Sequence, residues 1–227
     1  MALHPNGDVE QANLGTVLME KGLYAEAIQH LEASLAIRPK HLMAENSLAL
    51  TCFKMGDNDL AIAYFREALQ VEPKSLGVMM NLGSALQRAG RLAEAAENYR
   101  TAAKLFTAEA EPLRRLAGLL ANQKQFVQAA EVCRRAVQLA PERADLLLAL
   151  GNIEMAQTNY AVAADAYRQA LRIEPSNAGL HYNLALVHGL QGHPDAEHQE
   201  LREALRVNPN FAPAQQRLML LNVRPAN

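Results

Sequence analysis

Arginine side chains are the groups in this sequence whose type and spacing most suggest binding chemistry. Arg88, Arg114 and Arg115 lie within a segment, 88–135, that has nine basic and five acidic residues. Guanidinium groups pair with carboxylates through charge-assisted hydrogen bonds. The segment therefore predicts a positive surface for an acidic side chain or a C-terminal carboxylate. The alternative is that these arginines are solvated or paired with Glu111, as surface arginines commonly are.

Asparagines form a second candidate set, because they recur on the same predicted helix face along the chain. An asparagine amide both donates and accepts hydrogen bonds, so a spaced row can pair with the main chain of an extended ligand. The alternative is that the asparagines only solvate an exposed surface. The row comprises Asn13, Asn46, Asn81, Asn152 and Asn183, with Met80 and Tyr182 on the same face.

Histidines and cysteines offer little for catalysis. His181 and His188 are two helical turns apart, about 10 Å, which is too far to share one ion on a straight helix. Cys52 and Cys133 are the two cysteines of the chain, too few for a disulfide framework or a cysteine-based metal site. The sequence contains no glycine-rich phosphate loop and no nucleophile motif. We therefore predict no enzymatic activity, no cofactor and no metal site.

Composition limits the class of protein and of partner. Half of the residues are hydrophobic, 5% are aromatic and tryptophan is absent, which favours packed helices over a β-sandwich. A net charge of −2 gives no general attraction to nucleic acid or anionic membranes. No apolar run is long enough to span a bilayer, and residues 1–7 lack a signal-peptide pattern. We therefore expect a cytoplasmic protein, although a signal peptide removed from it would leave no trace.

Internal repetition dominates the rest of the chain, with a period of about 34 residues. Each repeat contains two runs of apolar residues at helical spacing, joined by a short turn. A lead-in at 1–7, expected to be disordered, precedes the repeats, and a half-repeat at 212–227 is expected to form a capping helix and tail. The predicted repeats are 8–41, 42–75, 76–109, 110–143, 144–177 and 178–211.

Fixed positions within the repeat carry fixed types of residue. Leucine stands at position 7, glycine or alanine at position 8, and alanine at position 20 in five repeats and at position 27 in five repeats. Position 24 is aromatic in three repeats, and proline ends five of the six at position 32. Small residues allow two helix axes to approach closely, so we expect these positions to lie where helices touch.

These columns resemble the tetratricopeptide repeat from about residue 8 to the end of the chain. The resemblance implies an all-α, right-handed α-solenoid superhelix of antiparallel helix pairs, with a concave groove that binds peptides. Three departures stand out. The tryptophan usual at position 4 is absent throughout, Thr107 replaces the proline of repeat 3, and Glu197 replaces the position-20 alanine of repeat 6. We expect a looser junction after Thr107 and a shifted second helix around Glu197.

A helical wheel for the first helix of each repeat separates a core face from a groove face. Positions 4, 7, 8 and 11 form the core face, and positions 2, 5, 6, 9 and 13 form the groove face. The asparagines at position 6 are similar to the asparagine ladder of the O-linked N-acetylglucosamine transferase superhelix, although only three repeats have one. The carboxylate clamp found in other family members is not expected, because Ala12 and Thr16 stand where it needs lysine and asparagine.

Three functions remain open from the sequence. The leading hypothesis is a non-catalytic scaffold that binds an extended peptide or protein segment in the groove. The first alternative is a targeting or substrate-docking module of a larger or multi-chain enzyme, such as a glycosyltransferase. The second is a scaffold that assembles with itself through its terminal repeats, where Leu220 and Leu221 are candidates for an exposed apolar patch.

Overall fold

The computed structural model describes the backbone of residues 7–223 and the side chains of residues 7–221. The predicted disordered lead-in at 1–7 lies outside this range except for Gly7, and so does the end of the predicted tail, 224–227. Over the described range every regular element is an α-helix and there is no β-strand. The predicted all-α architecture of paired helices is therefore confirmed.

The chain divides into two compact units. We call residues up to Thr107 the N-terminal unit and residues from Ala108 the C-terminal unit. The division falls at the repeat junction that lacks its proline. The helices of the N-terminal unit are α1 (Asp8–Glu20), α2 (Tyr24–Ile37), α3 (Leu42–Met55), α4 (Asn58–Val71), α5 (Leu76–Arg88) and α6 (Leu92–Leu105).

The C-terminal unit continues the same pattern and adds one last helix. Within each unit consecutive helices pack side by side, and each predicted repeat contains two of them. The exact repeat boundaries, and the role of 212–227 as a cap, stay predictions. The helices of this unit are α7 (Glu111–Asn122), α8 (Phe126–Leu139), α9 (Ala144–Ala156), α10 (Tyr160–Ile173), α11 (Ala178–Leu190), α12 (Pro194–Val207) and α13 (Ala212–Val223).

The cores are built from the small-residue columns. All six residues at position 24 and all six at position 27 are completely buried, as are the five alanines at position 20. At Gly83 and Gly151 a methyl group would overlap the rings of Tyr99 and Tyr167, respectively. Glycine at position 8 therefore makes room for tyrosine at position 24 of the same repeat. The large and small residues of one repeat are matched to each other.

Tight turns join the two helices of each repeat through one residue in the left-handed region. Glycine occupies this position in four repeats, with φ between 74° and 92°. Lys124 and Thr158, which replace it in the other two, adopt φ values of 61° and 62°. The backbone geometry is therefore retained even where the side chain disfavours it.

Candidate peptide-binding surfaces

The first helices of successive repeats lie next to one another within each unit, and their predicted groove positions differ in exposure. Among the ten predicted site residues, Asn13, Arg88 and Asn152 are exposed. Met80 is only 9% exposed and belongs to the buried set of α5, so it offers little surface to a ligand. The other six are half-buried: Asn46, Asn81, Arg114, Arg115, Tyr182 and Asn183.

One pair of repeat positions joins neighbouring first helices in both units. In the N-terminal unit the hydroxyl oxygens of Thr16 on α1 and Ser47 on α3 are 2.8 Å apart. In the C-terminal unit Asn183 Nδ2 on α11 donates to Asn152 Oδ1 on α9 at 3.5 Å. Both pairs connect position 9 of one repeat with position 6 of the next. One such pair therefore joins two successive first helices in each unit, and we call the polar groove-face side chains of a unit its polar strip.

The amide of Asn152 is oriented by the core beneath it. The hydroxyl of Tyr167, a fully buried residue, donates to Asn152 Oδ1 at 2.7 Å. Asn152 Oδ1 therefore accepts hydrogen bonds from both Tyr167 and Asn183. Among the described residues none accepts from Asn152 Nδ2, so its donors are available to a ligand. Burial of the ring raises the pKa of Tyr167 well above its usual value, so the hydroxyl stays protonated and donates.

Asn46 presents the opposite situation in the N-terminal unit. Its Oδ1 is buried and has no hydrogen-bond partner among the described residues. An unpaired, desolvated amide oxygen costs free energy, which a hydrogen-bond donor from a ligand would recover.

Arg88 on α5 is held by contacts with α3, the first helix of the preceding repeat. Its Nη1 donates to the carbonyl oxygen of Phe53 at 2.9 Å, near the C-terminus of α3, and its guanidinium carbon lies 4.2 Å from the centre of the Phe53 ring. The contact combines a cation–π interaction with a favourable position at the negative end of a helix. Arg88 therefore stabilises the strip of the N-terminal unit and also exposes positive charge there.

Arg114 and Arg115 are paired with Glu111, as one of the two interpretations of the sequence expected. Arg114 binds Glu111 through two hydrogen bonds of 2.6 and 2.7 Å, and Arg115 Nε adds a third of 2.8 Å. These bonds, above all those from Arg114, lower the pKa of Glu111 to about 2. The carboxylate is therefore ionised at neutral pH, and the two arginines share its single negative charge.

The remaining members of this cluster are Arg143 and Asp145. Arg143 binds Asp145 through two hydrogen bonds and approaches Glu111 at 3.5 Å, while Arg114 lies 3.9 Å from Asp145. Three arginines therefore face two carboxylates. Among the described residues no hydrogen bond involves the terminal nitrogens of Arg115. Arg115 thus has both terminal nitrogens available, whereas Arg114 and Arg143 each use one of theirs, Nη2, on a carboxylate.

Repeat 178–211 contains the histidines that the sequence analysis considered as metal ligands. His181 Nδ1 is 2.7 Å from Glu200 Oε2, and His188 is 9% exposed in the core. Over residues 7–221 no group of three or more histidine, cysteine, aspartate or glutamate side chains is arranged to hold a metal ion. Cys52 and Cys133 are buried free thiols, and burial raises the pKa of both.

Family models agree with the helix pairs. Three models of the tetratricopeptide repeat match residues 8–74, 53–101 and 80–144, and a fourth, of the TPR repeat, matches 151–192. The chain belongs to the tetratricopeptide repeat family. Comparison of this repeat protein with curated protein sequences found no match.

Solved structures show the same fold at low sequence identity. PilF of Pseudomonas aeruginosa has a TM-score of 0.71 at 19% identity, covering 94% of this repeat protein and 97% of that chain. MamA has a TM-score of 0.67 at 21% identity, covering 75% and 93%. YrrB, described as a TPR protein with an unusual peptide-binding site, has a TM-score of 0.67 at 14% identity, covering 83% and 97%.

The structure adds residues that were not among the ten predicted site residues. Ser47, Phe53 and Tyr167 support the strip, and Glu111, Arg143 and Asp145 determine the charge around Arg114 and Arg115. The signal of Ser47, Phe53 and Tyr167 in the sequence was weak, because each depends on a neighbour 15 to 35 residues away. Glu111, in contrast, lies only three and four residues before its partners Arg114 and Arg115. Only the spacing of one repeat, applied to positions 9 and 6, would have suggested the Thr16–Ser47 and Asn152–Asn183 pairs.

Proposed function

We propose that this protein is a non-catalytic scaffold that binds an extended peptide or protein segment on the polar strips formed by its first helices. The observation that carries the proposal is the repeated link between position 9 of one repeat and position 6 of the next. It places donors and acceptors on two successive first helices in each unit, which suits the regularly spaced amides of an extended main chain. Membership of the tetratricopeptide repeat family supports the same role.

Within the C-terminal unit, we assign the recognition of an acidic side chain or a C-terminal carboxylate to Arg115. Its terminal nitrogens are available, whereas Arg114 uses Nε and Nη2 on Glu111. A ligand carboxylate would add a second negative partner to a cluster in which arginines outnumber carboxylates by three to two. Charge-assisted hydrogen bonds contribute about 1.5–3 kcal/mol each. Asn152 is exposed and its Oδ1 is engaged by Tyr167 and Asn183, so its Nδ2 would donate to a ligand carbonyl.

In the N-terminal unit, the proposed contacts are Asn13, Asn46 and Asn81. The side chain of Asn46 would rotate to bring its buried, unpaired Oδ1 to a ligand amide, and Arg88 would place positive charge at the edge of the strip. Two buried free thiols suit a reducing compartment, so we place the protein in the cytoplasm. Over residues 7–223, none of the helices is long and apolar enough to cross a lipid bilayer.

The test uses a library of ten-residue peptides with free or amidated C-termini, screened against the purified protein. Peptides that bind with a free carboxylate are then measured against Arg115→Ala and Arg114→Ala by calorimetry. We expect Arg115→Ala to weaken binding at least about tenfold and to reduce its dependence on salt. Arg114→Ala should have the smaller effect on affinity and the larger effect on stability, because it releases Glu111.

The matched control is Arg135→Ala, an exposed arginine on α8, the second helix of the same repeat. It removes the same charge away from the strip. Equal losses of affinity for Arg135→Ala and Arg115→Ala would mean general electrostatic attraction and would contradict the assignment.

Two further roles are kept as candidates. The strips would serve equally for substrate docking if the repeats belong to a multi-chain enzyme. Contact between copies of the chain is favoured by Met219 and Leu220 on α13, which are 67% and 63% exposed.

A further inference from the structure

A cavity of about 270 Å³ lies in the N-terminal unit, outside the polar strip. Its walls come from the turn before α3, the first turn of α3 and the end of α4. None of these residues belongs to the predicted groove set. The lining residues are Lys40, Glu45, Glu67, Gln70 and Val71.

Glu45 is the unusual member of this lining. It is only 5% exposed, and its Oε2 is buried with no hydrogen-bond partner among the described residues. An ionised carboxylate removed from water is costly unless it is paired. Glu45 therefore lines the cavity and carries a carboxylate oxygen that the described residues leave unsatisfied.

Two other buried glutamates show how the same chain normally solves this problem. Glu154 accepts hydrogen bonds from Arg134 and Asn159, and Glu197 accepts one from Arg217. Both are less than 3% exposed, and each has a guanidinium partner from another helix. Glu45 has no such partner among the described residues, and the cavity occupies the space beside it.

Charges around the cavity are predominantly negative. Glu67 lines it as a second carboxylate, and Lys40 is its single cation within the lining. Burial, and then Glu67, raise the pKa of Glu45, while Lys40 opposes the shift without reaching ion-pair distance. Over the first 75 residues the sequence has ten acidic and six basic residues, so the surroundings also favour a positive ligand.

We propose that this cavity binds a protonated amine or a guanidinium group, with Glu45 as its buried counter-ion and Glu67 as the second carboxylate. A site of this volume is at the lower limit for organic ligands and holds a short alkyl cation or the end of one side chain. Two sources share this chemistry, a lysine or arginine of a partner protein and a free small amine. A metal ion fits less well, because the described residues provide no cluster of three ligands.

The experiment follows the carboxyl carbon of Glu45 by NMR in the full chain. The probes are n-butylammonium and n-butylguanidinium, with n-butanol as the neutral control of the same length. We expect a saturable shift with either cation and a fall in the pKa of Glu45, because a neighbouring positive charge favours the carboxylate. n-Butanol should produce neither effect. Equal shifts with n-butanol would overturn the proposal.

Variants test whether the cation binds in the cavity or elsewhere on the surface. Glu45→Gln should abolish saturable binding while retaining the shape of the side chain, and Glu67→Gln should weaken it. Lys40→Gln removes the internal cation and should tighten binding about threefold. The matched control is Glu72→Gln, an exposed glutamate near the end of α4 that does not line the cavity. Binding that survives Glu45→Gln, or is lost equally in Glu72→Gln, would refute the site.

Two further measurements distinguish a partner side chain from a free amine, and test whether Lys40 itself occupies the cavity. Tighter binding of a capped Ala-Ala-Lys-Ala-Ala peptide than of n-butylammonium supports a partner side chain, and the reverse order supports a free amine. If Glu45 in the free protein titrates below its ordinary pKa and Lys40→Gln raises that pKa, then Lys40 itself occupies the cavity and the proposal is wrong. Melting curves by circular dichroism check that every variant is folded.

Discussion

The contact between Glu197, Gly189 and Arg217 provides a demanding test of how α13 is attached. Glu197 stands where five repeats have alanine, and its side chain is 3% exposed. Its Oε1 accepts a hydrogen bond of 2.6 Å from Arg217 Nε on α13. A methyl group at Gly189 would lie only 2.5–2.8 Å from the three atoms of that carboxylate. Gly189→Ala should therefore displace the carboxylate and break the ion pair.

The expected magnitude follows from burial. Removing one partner of a buried ion pair costs about 3–5 kcal/mol, but the side chain of Arg217 is 31% exposed and keeps part of its hydration. We therefore take about 2 kcal/mol for the lost pair, less about 0.5–1 kcal/mol gained when alanine replaces glycine in a helix. Gly189→Ala should destabilise the wild-type protein by about 1–1.5 kcal/mol.

In the Glu197→Ala background the same substitution should change sign. With the carboxylate gone, the methyl group meets open space, and Gly189→Ala should stabilise by about 0.5–1 kcal/mol. The coupling energy of the double-mutant cycle is then about 2 kcal/mol, well above the error of such cycles.

Urea denaturation followed by circular dichroism gives the free energies of unfolding. Because repeat proteins can unfold in parts, amide hydrogen exchange in α12 and α13 locates the change. If Gly189→Ala destabilises equally in both backgrounds, the obstacle is not the Glu197 carboxylate. If the exchange rates of α13 do not change, the ion pair does not attach that helix.

Burial and then the charge of Arg168 lower the pKa of His188, and His193 lowers it further, while Glu200 and the hydrogen bond with Gln191 oppose the shift. Near pH 6 the unfolded chain therefore binds a proton at this histidine more readily than the folded chain, so stability should fall as pH drops below about 6.5. His188→Leu should reduce this loss of stability, measured as the difference in Tm between pH 7.5 and 5.5. His41, whose pKa is also lowered, accounts for the loss that remains. Met219→Ser with Leu220→Ser should reduce any concentration-dependent light scattering of the protein, and unchanged scattering would exclude these residues as the contact between copies.

The helices and their core were predictable from the sequence because the same pattern of apolar and small residues recurs in each of the six repeats. Ala61, Ala95 and Ala129 all stand at one position, and all three are completely buried. The turn geometry was also predictable, since four glycines indicated a left-handed residue. That Lys124 and Thr158 adopt it too shows that the packing of the flanking helices imposes this conformation.

The predicted site was less complete, because helical periodicity indicates a face but not its contacts. Position 5 illustrates the limit. The wheel assigned Met80 to the groove, but this side chain is buried, because the wheel does not show how closely neighbouring helices cover the edge of a face. Arg114 and Arg115 are both half-buried on α7, and their different availability depends on how Glu111 divides its hydrogen bonds between them.

The sequence alone determined the family, the helix pairs and the columns of small residues, since these depend on local periodicity repeated six times. Tertiary structure decided which polar groups are satisfied. Asn152 is oriented by a tyrosine 15 residues away, Glu197 is neutralised from α13, and Glu45 is left without an arginine. The physical reason is that burying a polar group is costly unless a partner lies within hydrogen-bond distance, and that distance is set by the packing of different helices.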